Sequence, residues 1–153
     1  MAAPEKSELE QLILAKTKEA MKAKDAVTRT VLRNMSSEFK QKKIDERLDN
    51  LTSEEEITIL KRMVKQRKDS VEQFNLGGRE DLSEKEIVEI AIIEKFLPQQ
   101  LSEAEITVEV EAVIAKVGAT SAKDMGKVMG GLGHIRANAD MGLASKIVKS
   151  LLA

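Results

Sequence analysis

Cysteine, tryptophan and tyrosine are missing from the 153-residue chain, and only three Phe, two Pro and one His occur. Without Cys there is no disulfide, no thiolate nucleophile and no Cys-ligated metal. That absence suits a reducing compartment, and a cytoplasmic location is expected. With so few aromatic rings the core must be aliphatic, and a base-stacking surface for single-stranded nucleic acid is not available. No apolar run approaches the ~18–20 residues that span a bilayer. The longest, Ile90-Ala91-Ile92-Ile93, has a Glu on each side, and the polar start Met1-Ala2-Ala3-Pro4-Glu5-Lys6 lacks the apolar stretch of a secretory signal. Neither charge sign is in excess: the net charge is −1. Whole-protein steering toward an anionic polymer is therefore not expected.

What is present is aliphatic and charged: 42% hydrophobic and 33% charged residues. The apolar positions recur at helical spacing, which assigns the charges to the outer faces of amphipathic helices rather than to disorder. Helix starts are marked by Ser or Thr followed three residues later by an acid, at Ser7/Glu10, Thr52/Glu55, Ser83/Glu86, Ser102/Glu105 and Ser121/Asp124. Gly77-Gly78 and Gly118 sit where left-handed caps belong, and Pro98 discourages helix at Leu97. The spacing predicts helices near 7–24, 26–47, 53–75, 83–96, 103–117, 121–129 and 139–152, an all-α fold. In the fourth, Ile87, Ile90, Ala91 and Leu97 form the expected core stripe.

Two domains are expected, 1–97 and 98–153. The first is a helical bundle whose long second and third helices form a projecting antiparallel hairpin with its tip at Asp49-Asn50-Leu51. The second is a small three-helix domain, rich in Gly, with six basic and six acidic residues.

Few residues invite chemistry. Gly126-Lys127-Val128-Met129-Gly130-Gly131-Leu132-Gly133-His134 would allow close backbone approach to a phosphate, but it is no P-loop, because its Lys precedes the glycines. His134 has no second His or Cys with which to hold a transition metal. Glu54-Glu55-Glu56 suit a helix N-terminus. Lys61, Arg62, Lys65 and Lys68 line the third helix as a secondary basic stripe, near Lys40, Lys42 and Lys43 on the second, and phosphate contacts require such residues. Arg67 falls on the apolar seam between Val64 and Val71, where it needs an acidic partner from a neighbouring helix or an outward-reaching stem. No catalytic constellation, metal set or cofactor motif is identifiable.

Four segments are distinctive together: Lys65-Gln66-Arg67-Lys68-Asp69-Ser70, Gly78-Arg79-Glu80-Asp81-Leu82, Phe96-Leu97-Pro98-Gln99-Gln100-Leu101-Ser102 and Lys123-Asp124-Met125-Gly126-Lys127-Val128-Met129. In order and spacing they resemble the YqeY-like proteins of the GatB/YqeY family, across nearly the whole chain. The resemblance implies a helical bundle followed by a three-helix domain similar to the tail of GatB, the tRNA-handling subunit of the glutamine-dependent amidotransferase that acts on mischarged Glu-tRNA or Asp-tRNA. In that enzyme the tail contacts tRNA and the chemistry lies elsewhere. Family members commonly carry Gly-Arg/Lys-Ala-Asp-Gly-Lys before the last helix. Here Ala137-Asn138-Ala139-Asp140-Met141-Gly142 replaces the basic residue with Asn138 and the Lys with Gly142.

Three functions follow. The first is a non-catalytic accessory module that binds tRNA or an aminoacyl-tRNA-handling protein complex, with Lys123, Lys127, Arg136, Lys146 and Lys149 as phosphate contacts and Asn138 as a hydrogen-bond donor. The second is a helical protein–protein adaptor. The third is a carbon–nitrogen ligase with glutamine as amido donor. That reaction needs an ammonia-releasing nucleophile and a nucleotide site, so the chain would take part only within a complex. No membrane partner, small-molecule substrate or cofactor is expected.

Overall fold

The structure, a computed structural model, describes residues 6–153. The reading of the polar N-terminal stretch therefore falls outside the described residues for Met1 to Glu5. Seven α-helices and no strands appear among the described residues: α1 Glu8–Lys22, α2 Ala26–Glu46, α3 Ser53–Leu76, α4 Glu80–Glu94, α5 Glu103–Val117, α6 Met125–Gly130 and α7 Met141–Leu152. Short 3₁₀ turns at Ala122–Asp124 and Gly133–Ile135 flank α6. The protein is all-α, and none of these helices is long and apolar enough to cross a membrane. The chain divides into two units, the first ending at Leu97 and the second starting at Pro98.

Local chemistry explains most helix ends. Thr52 and Ser102 each accept from the backbone N–H three residues on, and Glu55 and Glu105 reach back to the cap's own N–H. Each reciprocal cap contributes about 1 kcal/mol. Hydrogen bonds from backbone N–H groups, Thr52 for one and Ser102 for the other, hold the Glu55 and Glu105 carboxyls below their ordinary pKa. Ser7 caps α1 by accepting from the Glu10 N–H. Asp25 and Asp140, not anticipated as caps, start α2 and α7 in the same way. Gly118 ends α5 in the left-handed region at φ 68°, while Arg47 ends α2 there at φ 54° without being a glycine.

The expected cap at Ser83 is corrected. The fourth helix begins three residues earlier, with Arg79 in the cap position, so Ser83 lies inside it and is buried. Its hydroxyl donates back to the Glu80 carbonyl at 3.0 Å. The stripe expected on this helix is corrected too. Ile90 and Leu97 pack against the core as expected and Ile92 and Ile93 join them, whereas Ile87 and Ala91 face outward. Arg67 supplies the physical reason. Its guanidinium lies 3.6 Å from Glu89 of α4 and donates to the Met63 carbonyl at 3.2 Å. Glu86 is close enough to Arg67 to feel its charge, and burial pushes the Glu86 carboxyl above its ordinary pKa. With Arg67 drawing these carboxylates toward α3, the apolar residues between them turn away.

In the first unit the most extensive packing is of α3 on α4 and of α1 on α2, so the expected hairpin of the second and third helices is not the main pairing. Where α2 and α3 meet they run antiparallel, joined by Glu38–Arg62 at 2.7 Å and Lys42–Glu55 at 3.8 Å. Leu32, Met35, Phe39, Leu60 and Ile93 form the centre of this core. Glu56 is the exception: it is only 2% exposed, accepts from the Ser7 hydroxyl at 2.6 Å, and burial raises its pKa. Nearby, Glu10 pairs with Lys43 at 2.6 Å.

Candidate nucleic-acid interface

The second unit is built on an aliphatic core of α5, α6 and α7, with Ile106, Val110, Val128, Leu132, Ala144 and Val148 buried at its centre. Gly131 permits the closest approach. A Cβ added there would stand 2.5 Å from the Val113 Cγ1, so the end of α6 meets α5 at a distance only glycine allows. Gly126, Gly130 and Gly133 meet no such neighbour and open outward. The glycine-rich segment is therefore a short helix and a 3₁₀ turn rather than a loose loop.

This scaffold fixes the candidate cations. Lys123 lies in the 3₁₀ turn and Lys127 four residues on in α6; both are exposed. Asp124, between them, accepts from the backbone N–H of Thr120 and of Ser121, which lowers its pKa with a smaller contribution from Lys127. On α7, Ala144, Ile147 and Val148 face the core, so Lys146 and Lys149 project from the opposite side. Gly142 falls one turn before Lys146 in the same row, and its N–H donates to the capping Asp140 at 2.9 Å. Lys123, Lys127, Lys146 and Lys149 form no ion pair with any described residue.

The remaining candidates are placed differently. Arg136 is exposed and already engaged by a neighbouring group. Asn138 is half-buried, and its backbone is structural: the carbonyl accepts from the Leu101 N–H at 2.7 Å and the N–H donates to Ile135 at 3.1 Å. His134 pairs with Glu109 of α5 at 2.8 Å on the surface. Among the described residues no group of three His, Asp or Glu side chains is arranged to hold a metal ion.

The secondary stripe on α3 is charge-compensated. Arg62 pairs with Glu38 at 2.7 Å, Lys65 with Asp69 at 3.8 Å and Lys68 with Glu94 at 4.0 Å, and Lys61 is also engaged. Lys42 and Lys43 of α2 are paired as well. Asp69 and Glu46, one turn from Lys65 and Lys42 on the same helices, are legible in the sequence, whereas the acids that meet Arg62, Lys68 and Lys43 come from other helices and are not. Glu56 likewise reads in the sequence as a helix-dipole residue, since its partner Ser7 lies 49 positions away.

Comparison with known proteins supplies the family. Residues 10–152 match the pattern described as Yqey-like protein. Among curated relatives, the protein named Altered inheritance of mitochondria protein 41, mitochondrial, of Lachancea thermotolerans is 37% identical over 102 residues, covering 65% of this chain and 54% of that protein. Its namesake in Kluyveromyces lactis is 39% identical over 79 residues, covering 52% and 43%. That of Saccharomyces cerevisiae is 33% identical over 98 residues, covering 64% and 53%. The chain spans about half the length of the curated relatives it matches. Their names overturn the expected cytoplasmic location. The lack of Cys that suggested it fits any reducing compartment and never distinguished the cytosol from a mitochondrial one. With a family pattern fitting from residue 10 to residue 152, the chain belongs to the YqeY-like protein family.

Proposed function

We propose that this protein is a non-catalytic accessory module that binds tRNA, or a complex handling aminoacyl-tRNA, through its second unit, in the mitochondrial setting of its named relatives. The observation that carries the reading is the state of the lysines. Lys123, Lys127, Lys146 and Lys149 are exposed and without an ion pair among the described residues, whereas the α3 stripe is neutralised in place. An unpaired lysine meets a phosphate without first breaking an internal contact, and displaced counterions then drive binding. Arg136 is a further exposed cation of the same unit, already engaged by a neighbouring group. The family's likeness to the GatB tail supports RNA of the tRNA class over duplex DNA. On this reading any carbon–nitrogen ligase activity with glutamine as amido donor belongs to a partner rather than to this chain.

The test is a fluorescence-anisotropy titration of purified protein with bulk tRNA at roughly 50 and 200 mM salt. Four to five phosphate contacts give a log–log salt slope of about −4. A complete lack of salt-sensitive binding would contradict the reading and favour the helical adaptor.

A further inference from the structure

α4 carries two carboxylates on its inner side, beside the Ile92 and Ile93 that enter the core. Glu86 and Glu89 turn toward Arg67 of α3, while Ile87 and Val88, each 51% exposed, and Ala91 face outward. An amphipathic helix normally does the reverse, so the outer face has the character of a surface that is covered in use. Its residues show what covers it. Glu84, Val88, Ala91 and Lys95 are spaced by four, three and four residues, which sets them on one seam, with Ile87 beside it. Lys95 caps α4 in helical geometry, so the seam runs unbroken to its end.

That spacing reads the same from either end. Laid antiparallel against itself, in the register that sets Val88 opposite Ala91, the seam also sets Glu84 opposite Lys95. The two-fold operation then repeats both pairs. A parallel arrangement would instead oppose Glu84 to Glu84 and Lys95 to Lys95. Neither side chain forms an ion pair or hydrogen bond with a described residue, and Asp25, which feels the Lys95 charge, takes only a minor pull from it, so both charges remain available to pair across such a seam. Ala91 is small enough to let the two backbones approach, with Val88 filling the space opposite.

We propose that α4 is a homodimerisation surface, its partner being a second copy of this chain packed antiparallel through Glu84, Val88, Ala91 and Lys95. The interface is isologous and closes on itself, as two-fold contacts do. A seam of three turns is short for a permanent dimer, so the association is weak and reversible.

Sedimentation equilibrium of the full chain, from about 5 μM to about 500 μM, reads this directly. Reversible dimerisation is expected in the unaltered protein. Glu84→Lys alone, or Lys95→Glu alone, sets like charges opposite each other twice and weakens the dimer by about tenfold or more. The double variant Glu84→Lys/Lys95→Glu restores it. All of these positions are exposed, and circular dichroism confirms that each variant keeps its helices. Because the chain has no Cys, Ala91→Cys offers a second reading. It forms an intermolecular bismaleimide cross-link, while Lys85→Cys, off the seam, does not. A monomer at every concentration would overturn the proposal and leave the face to a different protein. A dimer indifferent to the charge exchange would overturn it equally.

Discussion

The two units of this protein, each an aliphatic core under a charged surface, differ in how their candidate phosphate-binding cations meet the acids around them. In the first unit Lys43 of α2 and cations along α3 are bound up with acids across helices, Lys43 with Glu10, Arg62 with Glu38, Arg67 with Glu89 and Lys68 with Glu94, while Lys40 and Lys95 stay exposed without an ion pair among the described residues. In the second unit half of the acids are absorbed by caps. Glu105, Asp124 and Asp140 each accept backbone N–H groups at helix or turn starts, and the five lysines of this unit, Lys116 and the four candidates, form no ion pair with a described residue. Both units carry nearly balanced charge. The lesson is that net charge says little about whether a surface can meet a phosphate; what matters is whether the cations are already occupied.

The contrast can be broken or sharpened by substitution. The largest effect is expected from Leu132→Ala, which removes a fully buried side chain from the smaller core. A loss of about 2–5 kcal/mol is a large share of what so small a unit can hold. Hydrogen exchange should show α5 and α7 amides losing protection, whereas retained protection would mean that the second core is less dependent on Leu132 than its burial implies. Gly131→Ala follows, at about 1–3 kcal/mol, because its Cβ meets Val113 at 2.5 Å. Adding Val113→Ala should relieve the clash in a thermal melt, leaving a smaller net loss.

In the first unit Arg67→Met should lower stability by about 1–2 kcal/mol, since Glu86 and Glu89 lose the cation that draws them inward. A higher melting temperature would show that the ion pair is dispensable. Glu56→Gln should act in the other direction and depend on pH. Burial raises the Glu56 pKa on folding, so its contribution is fully present below the unfolded pKa and is lost as pH rises through the higher folded one. The Gln variant, which does not ionise, should therefore gain most over the unaltered protein at neutral pH. That gain should shrink toward pH 4, read as the difference in melting temperature across pH.

Much of the fold was legible because it is written locally. Thr52/Glu55 and Ser102/Glu105 are caps whose partners lie three residues away, and Gly118 ends α5 beside its own helix. What was not legible depended on distant partners. Ser83 has the pattern of a cap, yet the helix already starts at Glu80. Ile87 and Ala91 have the spacing of a core stripe, yet Arg67, on another helix, decides which face of α4 turns inward. The candidate cations could be named from the sequence, but their pairing across helices could not. Arg62 finds its acid 24 positions away, and Lys123 finds none among the described residues.

The central claim is that occupied and unoccupied cations differ in function, and one titration tests it most directly. Bulk tRNA is titrated in parallel against Lys123→Ala/Lys127→Ala in the second unit and Arg62→Ala/Lys65→Ala in the first. The account predicts that the second-unit pair lowers affinity and flattens the log–log salt slope by about two, while the first-unit pair leaves both near those of the unaltered protein. Equal losses from the two pairs, or a loss only from Arg62 and Lys65, would contradict it.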